Sequence, residues 1–198
     1  MSSDDSECTW IQAFCSMYGN EFLTEVDESF IADQFNLTGL SDIVPDFRKA
    51  LKIILDYDDS SDKSSMQLVS SAEFSRNCQM LYGVVHARFI MSTVGLEKMY
   101  DKVINKEFGK CPRYLCDSTP LIPTGIHDDP GLDTVKLFCP CCNEIYSPIP
   151  SKHRLLDGAY FGTSFAQMLL MAYPLLRKKH KIEFIPRLYG FRIHPSVK

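Results

Sequence analysis

Four of the chain's eight cysteines fall into two pairs, and this pattern constrains the fold more than any other feature of the sequence. Cys111 and Cys116 form a C-x4-C pair, and Cys139 and Cys142 form a C-x2-C pair beyond a long polar loop. At these spacings a tight turn can direct two thiolates toward the same ion. The sequence therefore predicts a structural zinc site.

The predicted site is of the closed type. Four thiolates complete a tetrahedral shell and leave no position for a reactive water, so such a site folds a domain and does not catalyse hydrolysis. Zinc binding of on the order of 10 kcal/mol would be enough to fold a ribbon whose own apolar core is small. No Gly-rich phosphate loop and no nucleophile paired with a base stands out, and we predict no catalytic residues.

A fifth cysteine, Cys141, competes with Cys142 for the last ligand position. The x2 spacing lets backbone N–H groups of the turn point at the first sulfur, whereas Cys139 and Cys141 would diverge in an extended segment. We therefore predict that Cys142 is the ligand. The alternative for all five is a set of reduced thiols packed in a core, where cysteine behaves as a small apolar residue.

The overall charge bears on the kind of partner. The 198 residues carry a formal net charge of −4, which provides no general cationic field to hold a polyanion. A basic run at 177–181 is the feature that a zinc-ribbon nucleic-acid-binding protein would use, and this is the alternative function. Such runs are more often solvated surface, and we expect no nucleic-acid partner.

Neither end of the chain nor its apolar runs indicates a membrane or secreted protein. Residues 1–7 are acidic and lack the features of a secretory signal, and the most apolar run, 165–176, is too short to cross a bilayer. We expect a cytoplasmic and nuclear protein with no membrane partner.

Apolar residues at helical spacing predict a mainly helical first part of the chain. Five helices are predicted. The first covers 6–18, the second is capped by Asp27 and reaches Phe35, and the last three cover 45–57, 70–91 and 96–108. His86 lies in the fourth of these and is predicted to be a hydrogen-bonded core residue, because no second ligand stands at matching spacing.

An acidic loop near 56–65 interrupts the helices. Its charge is carried by Asp56, Asp58, Asp59 and Asp62, and such runs usually only solvate a connector. The alternative is that this acidic loop is a specific binding site for polyamines or basic peptides.

The cysteine-bearing segment should form a thin antiparallel ribbon, with one strand at 135–138 approaching the second pair and another at 144–146 leaving it. A ribbon of this size cannot bury all its apolar residues, so some should meet a partner surface. We predict dimerisation through that surface. The residues assigned to it are Pro112, Tyr114, Ile145 and Tyr146, with Leu115 beside them.

The last part of the chain combines a short helix at 163–173 with an aromatic terminus. Residues 188–193 alternate large apolar side chains about Gly190, which predicts a bent strand or hairpin presenting Tyr189 and Phe191. Aromatic pairs of this kind are typical anchors for a hydrophobic cleft in a partner, and the alternative is simple core packing.

These elements predict an α+β fold in three parts. Residues 1–107 form the helical domain, 108–150 the zinc ribbon and dimerisation module, and 151–198 the C-terminal helix with an extended docking segment.

Several blocks of the sequence resemble one known family. They are Trp10 with Phe14-Cys15, Gly19-Asn20-Glu21-Phe22, Glu25-Val26-Asp27, Phe35-Asn36-Leu37-Thr38-Gly39-Leu40, Leu81-Tyr82-Gly83 with His86-Ala87-Arg88, Cys111-Pro112-Arg113, Asp157-Gly158-Ala159-Tyr160-Phe161-Gly162 and Pro186-Arg187-Leu188-Tyr189-Gly190-Phe191. Together they look like the regulatory beta subunit of protein kinase casein kinase II, and the match covers nearly the whole chain.

The resemblance implies a function and several site residues. It implies a non-catalytic subunit that dimerises through its zinc ribbon, binds the catalytic alpha subunit in a two-plus-two tetramer, stabilises it and modulates its choice of substrates. It places the four paired cysteines on the family's zinc ligands. It also implies kinase contacts at Leu188, Tyr189, Phe191 and Met168, and autophosphorylation at Ser2 and Ser3. The family's acidic loop is usually longer and richer in Glu than the loop in this chain.

Overall fold

Helices form most of the first half of the chain, and short strands follow. The computed structural model of the protein describes residues 8–57, 71–149, 151–177 and 185–194. In these ranges the helices are α1 (Trp10–Ser16), α2 (Glu28–Ala32), α3 (Phe47–Ile54), α4 (Ala72–Phe89), α5 (Thr93–Ile104) and α6 (Phe165–Ala172). The strands are β1 (Ile122–Thr124), β2 (Lys136–Phe138), β3 (Ile145–Tyr146), β4 (Arg187–Leu188) and β5 (Phe191–Arg192). The predicted α+β class is confirmed.

Side-chain caps determine where several helices begin. Thr9 forms a capping box with Gln12 at the start of α1, and the hydroxyls of Ser71 and Ser92 accept backbone N–H groups at the starts of α4 and α5. A cap of this kind stabilises a helix by about 1 kcal/mol. α5 therefore begins three residues before the predicted start at residue 96, and it ends at Ile104 rather than at 108.

The predicted helix from Asp27 to Phe35 is in fact two segments. Asp27 stands at the start of α2 but does not cap it, because its carboxylate binds Lys98 Nζ at 2.6 Å. α2 ends at Ala32, and the Asp33 side chain then accepts the N–H of Phe35 and begins a separate 3-10 turn. The apolar periodicity continues across both segments, which is why the sequence alone suggests one helix.

α4 is the central helix of the core. α3 packs along it on one side, and the turn Gly158–Tyr160 from the later part of the chain packs on it as well. The second contact depends on Gly83, because a Cβ at that position would come within 2.1 Å of the Tyr160 ring. The N-terminal helices and the segment after the cysteine pairs thus share one core. No helix in the described part of the chain is long and apolar enough to cross a membrane.

A buried polar network joins α4 to the loop before α2. The Tyr82 hydroxyl donates to the Thr24 carbonyl at 2.9 Å and accepts the Val26 N–H at 3.1 Å. His86 Nε2 accepts the Thr24 N–H at 3.1 Å, so its Nδ1 carries the proton and donates to the Tyr160 carbonyl at 2.7 Å. Burial lowers the pKa of His86 to about 4. The prediction of a hydrogen-bonded core histidine is confirmed.

The three-stranded antiparallel sheet has the order β1-β2-β3. Phe138 of β2 pairs with Ile122 of β1 and with Ile145 of β3. β2 and β3 match the predicted strands, each one residue shorter, whereas β1 was not predicted because it contains Pro123. Proline is tolerated there because β1 lies at the edge of the sheet.

Candidate metal centre

The two cysteine pairs converge on one point. The Sγ atoms of Cys111, Cys116, Cys139 and Cys142 all lie within 4.8 Å of one another. Ligands about 2.3 Å from a tetrahedral zinc ion are about 3.8 Å apart. The Sγ atoms of Cys111 and Cys142 have that separation, 3.8 Å. The four sulfurs could therefore hold a metal ion, and their chemistry and spacing suit tetrahedral coordination by thiolates.

A tight loop positions the first pair. The N–H of Cys111 donates to the Thr119 carbonyl at 2.8 Å, and the N–H of Thr119 donates to the Cys116 carbonyl at 3.0 Å. Asp117 and Ser118, between these bonds, adopt left-handed conformations with φ of 48° and 54°. These reversals turn the chain back on itself, so that two cysteines five positions apart face the same point.

The second pair sits on the turn between β2 and β3. The backbone N–H groups of Cys141 and Cys142 both donate to the Cys139 sulfur, which is the arrangement expected for an x2 pair. The turn is closed by a bond from the Asn143 N–H to the Cys139 carbonyl at 2.9 Å, and Asn143 has a left-handed φ of 56°. Cys141 is buried but does not belong to the cluster of four sulfurs.

Cys116, Cys139 and Cys142 differ in how readily their thiols lose a proton. Burial raises the pKa of Cys142, but hydrogen bonds from the Tyr146 hydroxyl and the Glu144 N–H outweigh it and lower the pKa to about 7. Burial raises the pKa of Cys139 to about 12 and raises that of Cys116 as well. Because thiols bind metals as thiolates, an ion entering the cluster must displace protons from Cys116 and Cys139.

The four residues predicted for the dimer surface differ in their surroundings. Pro112, Tyr114 and Ile145 are exposed beside the cysteine cluster, as a contact surface requires. Tyr146 is half-buried, and its hydroxyl lies 3.2 Å from the Cys142 sulfur. Sequence reasoning missed this contact. The available signal was the strand alternation in β3, which turns Ile145 and Tyr146 to opposite sides.

The aromatic terminus forms a hairpin, one of the two predicted forms. β4 and β5 pair through a two-residue turn of Tyr189 and Gly190, with φ of 48° and 85°. Two successive positive φ values are typical of the turn that matches the twist of a hairpin, and glycine adopts such a φ without strain. The side chains of Tyr189 and Phe191 are 94% and 80% exposed. Leu188 is also exposed, and Met168 projects from α6.

Several predicted sites fall wholly or partly outside the described residues. Ser2, Ser3, Asp58, Asp59 and Asp62 lie outside them, as does most of the basic run at 177–181. Asp56 is described, and its carboxylate accepts the Trp10 N–H at 2.9 Å. One residue of the predicted acidic loop thus binds the first turn of α1.

The fold and the site together define a class of protein. It is an α+β protein with a helical core, a small sheet beside a cluster of four cysteines that could hold a metal ion, and a terminal hairpin with exposed aromatic side chains.

Comparisons with known proteins identify the family. A family model described as casein kinase II regulatory subunit matches residues 9–192. The chain is 47% identical to casein kinase II subunit beta' of Drosophila melanogaster, over 98% of this chain and 88% of the relative. It is 44% identical to casein kinase II subunit beta of Dictyostelium discoideum, over 100% and 73% of the two chains. It is 45% identical to the Schizosaccharomyces pombe subunit beta, over 97% and 81%.

The chain therefore belongs to the casein kinase II regulatory subunit family. The family resemblance predicted from the sequence blocks is confirmed. Because the subunits of this family are regulatory and not catalytic, the prediction that the chain is not an enzyme is confirmed as well.

Proposed function

We propose that this chain is a regulatory subunit that binds zinc through its four clustered cysteines, dimerises beside that site and docks on the catalytic subunit of casein kinase II. In this role it stabilises the kinase and modulates which substrates it accepts. The observation that carries the proposal is the convergence of four sulfur atoms in a chain of this family.

The zinc assignment is supported by the donor set. Four cysteine sulfurs within 4.8 Å of one another match the closed, all-thiolate shell of structural zinc sites. Exposed Pro112, Tyr114 and Ile145 lie next to the ligands, so the bound ion would order the surface proposed to join two copies.

Replacing single cysteines tests the ligand set. Cys142→Ser should release zinc and dissociate the dimer, because it removes one of four ligands. Cys141→Ser should leave both unchanged, since Cys141 lies outside the cluster. Metal content by elemental analysis and molecular mass by analytical ultracentrifugation report the two effects. The reverse pattern would overturn the choice of Cys142.

Docking on the kinase is supported by the exposed hairpin. A paired, two-residue turn holds Tyr189 and Phe191 out from the surface. Preformed aromatic anchors bind well because little side-chain freedom is lost when they enter a cleft. We propose Leu188 and Met168 as additional contacts.

Replacing the two anchors tests the docking. The double variant Tyr189→Ala, Phe191→Ala should weaken binding to the catalytic subunit by at least about 2 kcal/mol, or about 30-fold in Kd. The matched control is Tyr18→Ala, Phe35→Ala, because those side chains are 83% and 82% exposed elsewhere on the chain. Calorimetric titration measures both. Equal affinity of the anchor variant and the unmodified chain would refute the role of the hairpin.

Phosphorylation, cellular location and polyamine binding complete the proposed function. We propose phosphorylation at Ser2 and Ser3, which precede Asp4 and Asp5, and a cytoplasmic and nuclear location. Polyamines are proposed as ligands of the acidic loop, whose local charge would also attract basic substrates.

A further inference from the structure

The Tyr146 side chain reaches the cysteine cluster from β3. Its hydroxyl oxygen lies 3.2 Å from the Cys142 sulfur and 3.8 Å from the Cys111 sulfur. These sulfurs belong to different pairs, and they are 3.8 Å from each other. One hydroxyl group therefore contacts both of the loops that supply the sulfurs.

The strand geometry fixes this placement. Tyr146 pairs with Leu137 of β2, and its neighbour Ile145 pairs with Phe138. Side chains alternate along a strand, so the exposure of Ile145 leaves Tyr146 directed to the other side. Tyr146 is accordingly half-buried against the sulfurs.

The chemistry of the cluster calls for hydrogen-bond donors. Four thiolates around a divalent ion leave two negative charges in excess, and each sulfur retains lone pairs that accept hydrogen bonds. Backbone N–H groups supply donors to Cys139 and Cys142. The Tyr146 hydroxyl, 3.2 Å from the Cys142 sulfur, adds a side-chain donor.

We propose that Tyr146 is an outer-shell residue of the zinc site, whose hydroxyl donates to the Cys142 thiolate, lies against the Cys111 sulfur and so ties the two ligand loops together. The inference rests on the proposed zinc binding and adds a residue to that site. Outer-shell partners of this kind typically change metal affinity by about 10- to 100-fold when they are removed.

The test compares two changes that each remove only a hydroxyl oxygen. Tyr146→Phe should lower zinc affinity by about 10- to 100-fold and speed the transfer of zinc to a chromogenic chelator. Tyr18→Phe is the matched control, because the Tyr18 side chain is 83% exposed and lies outside both the cysteine cluster and the proposed dimer surface. It should change neither quantity.

A spectrum separates the hydrogen bond from effects on dimerisation. In the Co²⁺-substituted chain, Tyr146→Phe should shift the sulfur-to-cobalt charge-transfer absorption, whereas Tyr18→Phe should not. Tyr146→Trp, which carries an N–H donor, should recover part of the lost affinity.

The outcomes are distinct. The inference would be overturned, with the zinc site left intact, if Tyr146→Phe bound and transferred zinc within twofold of the unmodified chain and had an unchanged cobalt spectrum. An equal loss of zinc affinity in the control Tyr18→Phe would also overturn it, because the effect would then not depend on a hydroxyl in contact with the sulfurs. An unmodified chain that binds no stoichiometric zinc would instead overturn the proposed function.

Discussion

Replacing Tyr82 by phenylalanine removes one oxygen atom from the core and tests the buried network directly. The Tyr82 side chain is fully buried, and its hydroxyl binds the Thr24 carbonyl at 2.9 Å and the Val26 N–H at 3.1 Å. Phenylalanine keeps the ring, so the edge-to-face contacts with Trp10 and Phe14 are retained. The two backbone groups, however, lose their partner.

The expected magnitude follows from those two groups. Leaving a buried donor or acceptor without a partner costs about 1–3 kcal/mol. Both backbone groups are buried, so water would not readily replace the hydroxyl. Tyr82→Phe should therefore destabilise the fold by about 2–6 kcal/mol, which for a chain of this size lowers Tm by about 4–24 °C.

The assay is urea unfolding at equal protein and zinc concentrations, because metal and self-association shift apparent stability by mass action. The midpoint should fall while the slope with urea stays unchanged. Tyr18→Phe is the control, since the Tyr18 ring is exposed and should tolerate the same change. A loss below about 0.5 kcal/mol for Tyr82→Phe, in the range of ordinary surface changes, would refute the reasoning.

Two further predictions concern α4. The pKa of His86 is about 4 in the fold and about 6.5 when unfolded, so the unfolded chain binds the extra proton. Stability is therefore fully present above about pH 6.5 and falls by about 3 kcal/mol as the pH drops toward 4. Urea unfolding of the unmodified chain between pH 7 and pH 5.5 should show this fall in stability, and His86→Gln should lack it. An equal fall in both chains would contradict the assignment of the effect to His86. Gly83→Ala gains about 1 kcal/mol of helix propensity but clashes with the Tyr160 ring, so it should be destabilising by about 1–2 kcal/mol. The same change in a Tyr160→Leu background should be neutral or stabilising, and a similar loss in both backgrounds would exclude the ring as the cause.

Much of the local structure could be predicted because it depends on neighbours in the sequence. The apolar spacing of α4 depends on its own residues, and Phe74, Leu81 and Val85 are buried as that spacing predicts. Helix ends were less predictable. α1 stops at Ser16 although its apolar pattern runs further, and only the positions of the caps and turns determine such ends.

The sequence by itself determined the candidate ligands, because a two-residue spacer forces a turn whose N–H groups face the first sulfur. It likewise limited the aromatic terminus to a bent strand or a hairpin, since Gly190 allows the φ of 85° found there, and the pairing of β4 with β5 decided for the hairpin. Only the tertiary structure decided what depends on segments far apart in the chain. The Tyr160 ring over Gly83, the Thr24 bonds of Tyr82 and His86, and the Tyr146 hydroxyl between two loops all arise this way. Periodicity reports which face of an element is buried, and it carries no information about which distant atom will meet it.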